Sequence, residues 1–294
     1  MATDHTKKHY GAGFVAGMCS GVTKICVGHP FDTVKVRLQT APEGQFKSFT
    51  DCFLSTIRNE GFMGLYKGAG APLVGWSIMD SVQLGSLQLY RKVLKQTVYA
   101  EDRRLPTMGH AIAGLLGGLT VCIVATPVEH VKARLQVQYG RSGKGQYSGT
   151  LDCATKLIKE AGIFRGLYHG FASSLIFRTH FFFYWGAYDI LSRWMSQYMN
   201  LSTPTINFMA GGFSSQIGWV FGLPPDVIKQ MIMTDNIAKK KYPTWMSAAT
   251  EVYRHSGWRG YFKGFIPCML RSFPTNAASL LVFEGVLRSL GDTQ

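Results

Sequence analysis

Charge is scarce in this chain. Of 294 residues only 16% are Asp, Glu, Lys or Arg, against about 25% in an ordinary soluble domain. Acids are the scarcer kind, 17 against 31 Lys and Arg, which leaves a formal charge of +14. A nucleic-acid binder with that excess would carry a far larger basic fraction, so no nucleic-acid partner is expected. The six cysteines (Cys19, Cys26, Cys52, Cys122, Cys153 and Cys268) form no CxxC pair and no zinc spacing. A disulfide scaffold is therefore excluded, and the thiols read as reduced and mostly buried. His110, His130, His169 and His180 have no ligand spacing, so no metal is expected. Gly143-Lys144-Gly145 lacks the spacing of a phosphate loop. No nucleophile sits beside a base, so neither an enzyme nor a cofactor is expected. The segment from Met1 to Lys8 has no apolar core of a signal peptide and no Arg- and Ser-rich transit pattern, so targeting information is expected to be internal.

Apolar residues are what the chain has in quantity: 46% hydrophobic, 13% aromatic, and 33 glycines. That composition excludes a disordered or collagen-like chain. It is also organised by repetition. Pro30-Phe31-Asp32-Thr33-Val34-Lys35 returns as Pro127-Val128-Glu129-His130-Val131-Lys132 and again as Pro224-Pro225-Asp226-Val227-Ile228-Lys229, 97 residues apart each time. Gly17, Gly114 and Gly211 keep the same interval, as do Gly21, Gly118 and Ser215. Downstream come Tyr66-Lys67-Gly68, Tyr168-His169-Gly170 and Phe262-Lys263-Gly264. The chain is thus three tandem copies, taken as residues 1–98, 99–200 and 201–294.

Each copy opens with a long apolar stretch. Leu105 to Val128 and Leu201 to Pro225 contain no charged residue, and His9 to Phe31 is interrupted only by Lys24. These exceed the roughly 18 residues that suggest a membrane span. A second stretch follows each of Gly68, Gly170 and Gly264, interrupted by Asp80, Arg178 and Arg271 in turn. Between the two lies a short amphipathic segment such as Phe49 to Arg58. The expected fold is an all-α membrane protein of six tilted spans with pseudo-three-fold symmetry and three short helices. A mean hydropathy of only +0.05 is low for six lipid-surrounded helices, so each is expected to turn one face to a wet cavity. The rows Gly13/Gly17/Gly21 and Gly114/Gly118 are expected to let helices approach closely.

Asp32 and Lys35 are three residues apart and share a helix face, as do Glu129/Lys132 and Asp226/Lys229. Charges facing lipid are costly, so six of them on three helices are expected to point inward and pair with one another. The prolines just before them are expected to kink the helices and swing the charges together. A ring of this kind can close a pathway and still break in each cycle.

The three Pro-x-[Asp/Glu]-x-x-Lys motifs and the [Tyr/Phe]-x-Gly glycines strongly resemble the mitochondrial carrier family, over residues 10 to 290 or so. The resemblance implies a solute transporter of the mitochondrial inner membrane that works by alternating access, monomeric, with cardiolipin as a lipid partner. It implies a matrix gate of Asp32–Lys132, Glu129–Lys229 and Asp226–Lys35, braced by Gln39 and Gln136. Met231 and Met233 depart from the pattern in the third copy, so at most two braces are expected. The family's cytoplasmic gate is carried poorly by Gln88/Arg91, Asp189 and Glu284, with Glu284–Arg91 the one complete ionic pair. A resting state closed on the matrix side is therefore expected. Cardiolipin would meet the helix starts at Gly68, Gly170, Gly264 and Gly149, whose free N–H groups suit phosphate. Loops assigned to the matrix side hold twice as many basic as acidic residues.

Arg271, seven residues past Gly264, matches the family's third substrate contact point. Arg178 matches the second, one residue out of register, and Gly75 and Trp76 occupy the first. An arginine fork suits a carboxylate; the alternative is pairing with a structural acid. The stretches around Pro30, Pro224 and Arg271 resemble the carnitine/acylcarnitine and amino-acid branch. Arg178 is followed by Thr179 and His180 where that branch has an acid, which tells against carnitine and the dibasic amino acids. Asp80 is open to two readings, a counter-charge for a substrate amino group or a partner of Arg178 or Lys24. Lys24, eleven residues before Lys35, falls on nearly the same helix face. The aromatic run from His180 to Trp185 is expected to face lipid and neighbouring helices. The expected substrate is a small carboxylate-bearing metabolite, an amino acid or carnitine-like zwitterion, with a di- or tricarboxylate as the alternative. A non-transporting membrane scaffold of the same fold is the second alternative.

Overall fold

The structure, a computed structural model, describes residues 2–42, 44–99, 104–138, 146–237 and 239–289. The side chains of residues 2–17 and of much of the last helix, Glu284 among them, lie outside that description. The described residues form helices and short helical turns, with no strand among them. Each third of the chain repeats one pattern: a long helix, a short amphipathic one, a single tight turn, then a second long helix. In order these are α1 (Ala2–Thr40), α2 (Phe49–Glu60), α3 (Gly70–Thr97), α4 (Thr107–Val137), α5 (Thr150–Gly162), α6 (Phe171–Arg178), α7 (His180–Tyr198), α8 (Thr203–Thr234), α9 (Trp245–Ser256) and α10 (Phe265–Ser289). Consecutive long helices are neighbours, α3 on α4, α4 on α7 and α7 on α8. The last, α10, packs along the first, α1, and closes the ring.

Among the described residues α4 alone is long and apolar enough to pass a simple test for a membrane span. Lys24, Asp32 and Lys35 interrupt α1, and Arg271 interrupts α10.

The short helices begin where their sequences supply a cap. Ser48 Oγ accepts from the Asp51 N–H at α2, and Thr244 and Ser247 exchange side-chain bonds at α9. Their apolar faces close three equivalent clusters under the ends of α1, α4 and α8. Cys52 lies with Val34 and Leu65, Cys153 with Val131 and Leu135, and Ala248 with Ile228 and Ile232. Burial pushes the Cys52 thiol up to about 11 and the Cys153 thiol up to about 12, so neither ionises near neutral pH.

Pro30, Pro127 and Pro224 lie inside α1, α4 and α8. A proline gives no N–H to the carbonyl four residues back. In the first two copies a phenol takes its place: Tyr66 donates to the Cys26 carbonyl at 2.8 Å and Tyr168 to the Ile123 carbonyl at 2.9 Å. The third copy has Phe262 at that position and no hydroxyl to offer.

Gly68, Gly170 and Gly264 all have φ near +80°, a conformation that side-chain-bearing residues rarely adopt. Each also presses on the next copy's charged helix. A Cβ on Gly68 would lie 2.9 Å from the Lys132 carbonyl, and one on Gly264 would lie 3.0 Å from Lys35 Cγ. Gly264→Ala is therefore expected to cost about 1–3 kcal/mol of stability. A fall in melting temperature in detergent would register it, with Gly21→Ala, which meets nothing within 4 Å, as the neutral control. Among the described residues Gly21 meets no close neighbour, and Gly13 and Gly17 lie outside the described side chains. Gly114 and Gly118 do mark a close approach, against Trp185 and Phe181 of α7.

The fourth long segment is broken at Thr179, where one continuous span was expected. The Thr179 hydroxyl donates to the Ile176 carbonyl at 2.7 Å, and His180 Nδ1 lies 2.6 Å from the Phe177 carbonyl. Both side chains compete for carbonyls that a continuous helix would use.

Candidate functional site

α1, α4 and α8 bring their proline-following charges to one level inside the ring. Asp32 meets Lys132 at 2.6 Å, Glu129 meets Lys229 at 2.9 Å, and Asp226 meets Lys35 at 2.6 Å. These are the three inter-repeat pairs that the family resemblance implies. All the acids and lysines are buried or nearly so, so each ion pair lies in a poorly solvated setting where an unpaired member would be costly. Gln39 donates to Asp226 at 3.1 Å, beneath the Asp226–Lys35 pair. Gln136 is also buried, but its amide donates to the Thr33 hydroxyl at 3.2 Å rather than to Asp32. Each lysine also stands over an aromatic face: Lys35 is 4.3 Å from the Trp219 ring centre, Lys132 is 5.5 Å from that of Trp76, and Lys229 is 4.1 Å from that of Phe177. These contacts add favourable cation–π interaction beside the ion pairs.

Above the ring lies a cavity of about 290 Å³ lined by its charges together with Arg178, Arg271 and the rings of Trp76, Phe181, Tyr184 and Trp219. An adjoining lobe of about 140 Å³ adds Thr275 and Cys268. Both arginines reach down to the ring. Arg178 donates to Glu129 at 2.5 Å and Arg271 donates to Asp32. Trp76 lines the cavity, but Gly75 does not; it is packed against Val128, where a Cβ would fall 2.7 Å from Cγ1. Thr179 is exposed and lines neither lobe, because one helical step from Arg178 turns it about 100° away. Lys24 and Asp80 are exposed, within electrostatic range of each other, and Arg178 is also within range of Asp80. The aromatic run divides: His180, Phe181 and Tyr184 face the cavity, while Phe183 stacks on Phe221 at 3.9 Å, partly exposed.

At the opposite end of the ring Asp189 turns to its own surroundings. It pairs with Arg193 at 2.8 Å and accepts from the Thr107 hydroxyl at 2.6 Å. Arg91 stands 4.8 Å from the Trp185 ring and Gln88 is exposed. The expected Glu284–Arg91 pair involves a side chain outside the described residues.

A family model described as mitochondrial carrier protein matches residues 6–98, 103–199 and 201–294. The chain belongs to the mitochondrial carrier family. Its relatives include mitochondrial substrate carrier family protein L of Dictyostelium discoideum, 36% identical over 292 residues and 98% of each chain. The human mitochondrial carnitine/acylcarnitine carrier protein is 38% identical over 94% of this chain and 93% of its own. The mitochondrial basic amino acids transporter of Bos taurus is 34% identical over 93% and 90%. This protein is thus a transporter of small molecules in a mitochondrial membrane rather than an enzyme.

Part of the carrier's polar machinery was not singled out from sequence. Arg37 is 1% exposed and forks onto Glu60 at 2.8 and 2.9 Å, while Lys67 reaches the same carboxylate at 2.7 Å. Burial alone would raise the Glu60 carboxyl; the bonds from Arg37 and Lys67 outweigh it and hold the group below its usual value. The same position in the other copies has Ala161 and Ser256, so repetition gave no signal. Arg134 instead donates to His130 at 3.1 Å and to the Asp235 carbonyl. Ser215, the one copy with a hydroxyl where Gly21 and Gly118 stand, lines both lobes of the cavity.

Proposed function

We propose that this carrier moves a small carboxylate-bearing metabolite across the mitochondrial inner membrane by alternating access, through six tilted spans surrounding the cavity. The observation that carries this reading is the placing of Arg178 and Arg271 at the base of the cavity, joined directly to the ring of gate charges. A carboxylate matches the guanidinium fork. Asp80, exposed and within electrostatic range of Arg178, supplies an anion for an amino group, so an amino acid or similar zwitterion fits best. Relatives named for basic amino acids and for carnitine/acylcarnitine support the same class. Asp32–Lys132, Glu129–Lys229 and Asp226–Lys35 serve as the matrix gate, closed here. A closed matrix gate of three ion pairs supports a resting state open to the intermembrane space.

A dicarboxylate is the second reading, favoured by one observation. The main cavity is lined by five Lys and Arg side chains against three acids, an excess that a dianion would neutralise. Cardiolipin fits two clefts at helix starts. One, of about 600 Å³, lies between Lys47–Phe49 and Gly264–Phe265, and the other, of about 890 Å³, between Gly170–Phe171 and Thr244–Trp245. Free N–H groups at helix N-termini suit its phosphates.

Uptake into proteoliposomes across labelled amino acids, carnitine esters and dicarboxylates tests the reading. Saturable amino-acid uptake is expected, lost in Arg271→Ala and in Asp80→Asn. Uptake of dicarboxylates that survives Asp80→Asn would establish the second reading instead. No uptake of any of them by a folded preparation would leave the carrier fold without transport, a membrane scaffold.

A further inference from the structure

The gate acids divide their oxygens unequally. Asp32 gives Oδ2 to Lys132 at 2.6 Å and Oδ1 to Arg271. Glu129 gives Oε2 to Lys229 at 2.9 Å and Oε1 to Arg178 at 2.5 Å. Among the described residues Asp226 has no arginine partner. Its Oδ2 takes Lys35 at 2.6 Å and Gln39 at 3.1 Å, and its Oδ1 faces Gln230 at 3.5 Å and Lys229 at 3.7 Å. Two of the three acids therefore hold the cavity arginines as well as closing the ring, and the third does not. Each arginine gives its acid a single nitrogen, so a second carboxylate can reach the remaining N–H donors and then competes with the first for the same positive charge.

We propose that Asp32 and Glu129 act as internal stand-ins for the substrate's carboxylate, holding Arg271 and Arg178 until an arriving carboxylate takes them by exchange. The proposal rests on those arginines being the substrate's ligands, and it adds what holds them beforehand. Asp32 and Glu129 are positioning residues in this scheme. Exchange at Arg271 releases a tie between α1 and α10, and exchange at Arg178 releases one between α4 and α6. Occupation of the cavity is thereby transmitted to two arms of the gate, while the arm at Asp226 receives no such signal. The exchange also weakens apparent affinity, because the arginine is competent for substrate only for the fraction of time it is released.

Phenylglyoxal modification of the full-length carrier in detergent, followed by mass spectrometry of the peptides bearing each arginine, tests this without a known substrate. In the unmutated protein Arg271 and Arg178 are expected to react at least about tenfold more slowly than exposed Arg254. Asp32→Asn should speed modification of Arg271 and leave Arg178 unchanged, and Glu129→Gln should do the reverse. Asp226→Asn, which removes an acid from the same ring but frees no arginine, should speed neither. Malonate, used as a carboxylate probe, should protect the freed arginine at lower concentration than it protects the unmutated one. Equal speeding by all three substitutions would assign the effect to gate opening and overturn the proposal, as would rapid modification in the unmutated carrier. If the variants release their arginines selectively but malonate protects none, the tethers exist and the reading of these arginines as carboxylate ligands fails, taking the exchange with it.

Discussion

Glu60→Ala is expected to lower the melting temperature of the detergent-solubilised carrier by about 10 °C. The substitution leaves Arg37, 1% exposed, and Lys67 without the carboxylate they share. Removing one partner of a buried ion pair costs about 3–5 kcal/mol, which in a chain of this size corresponds to a shift of that order. A drop below about 2 °C would show that the network contributes little. Combining Arg37→Met, Glu60→Leu and Lys67→Met should recover much of the loss, because three apolar groups leave no charge of the network uncompensated. Acid should act like the substitution. The folded carboxyl sits below its usual value near 4.5, so its contribution is complete above that pH and is lost as pH falls through the folded value.

Lys229→Met is expected to reduce transport by a factor of about 100 or more. Lys229 is 2% exposed, 2.9 Å from Glu129 and 3.7 Å from Asp226, so it serves two acids of the ring at once. Its loss takes from Glu129 its partner in the ring and from Asp226 its second cation, leaving Arg178 and Lys35 to hold them, at about 3–5 kcal/mol. That is a factor of about 10²–10³ in the balance between closed and open arrangements. A carrier held open to one side cannot cycle. Introducing Ser215→Cys into a background without the native cysteines provides the check, since position 215 lines the cavity. An impermeant thiol reagent should reach it from the intermembrane side in the parent and from the matrix side after Lys229→Met. Uptake within twofold of the parent would remove Lys229 from the gate.

The three-fold plan was legible because it is written as spacing. Prolines 97 residues apart fix where the helices carry their charges, and an acid three residues before a lysine fixes the shared face. That the charges pair between copies follows from symmetry, and which acid meets which lysine follows from the family resemblance. What resisted reading was everything that breaks symmetry. Glu60 has no counterpart in the other copies, and Gln136 leaves its expected pair for Thr33. Gly75, taken for a contact point, is occupied with Val128, a packing constraint that no motif records. The aromatic run at residues 180–185 divides between cavity and surface because six consecutive residues of α7 point around the whole helix. Arg178 and Arg271 were legible as cavity cations, but their grip on Glu129 and Asp32 depends on side-chain reach across helices, which sequence does not encode.

The phenols behind the prolines give the three copies unequal stiffness. Tyr66 and Tyr168 latch the bends of α1 and α4 by tying an orphaned carbonyl to the tight turn of the same repeat. α8 carries two consecutive prolines and faces Phe262 in place of a latch. Two leaves of the iris are thus latched by a hydrogen bond and the third lacks that phenol. A structure built by triplication in this way carries two bends that are tied and one that is not, an inequality its symmetry alone would not supply.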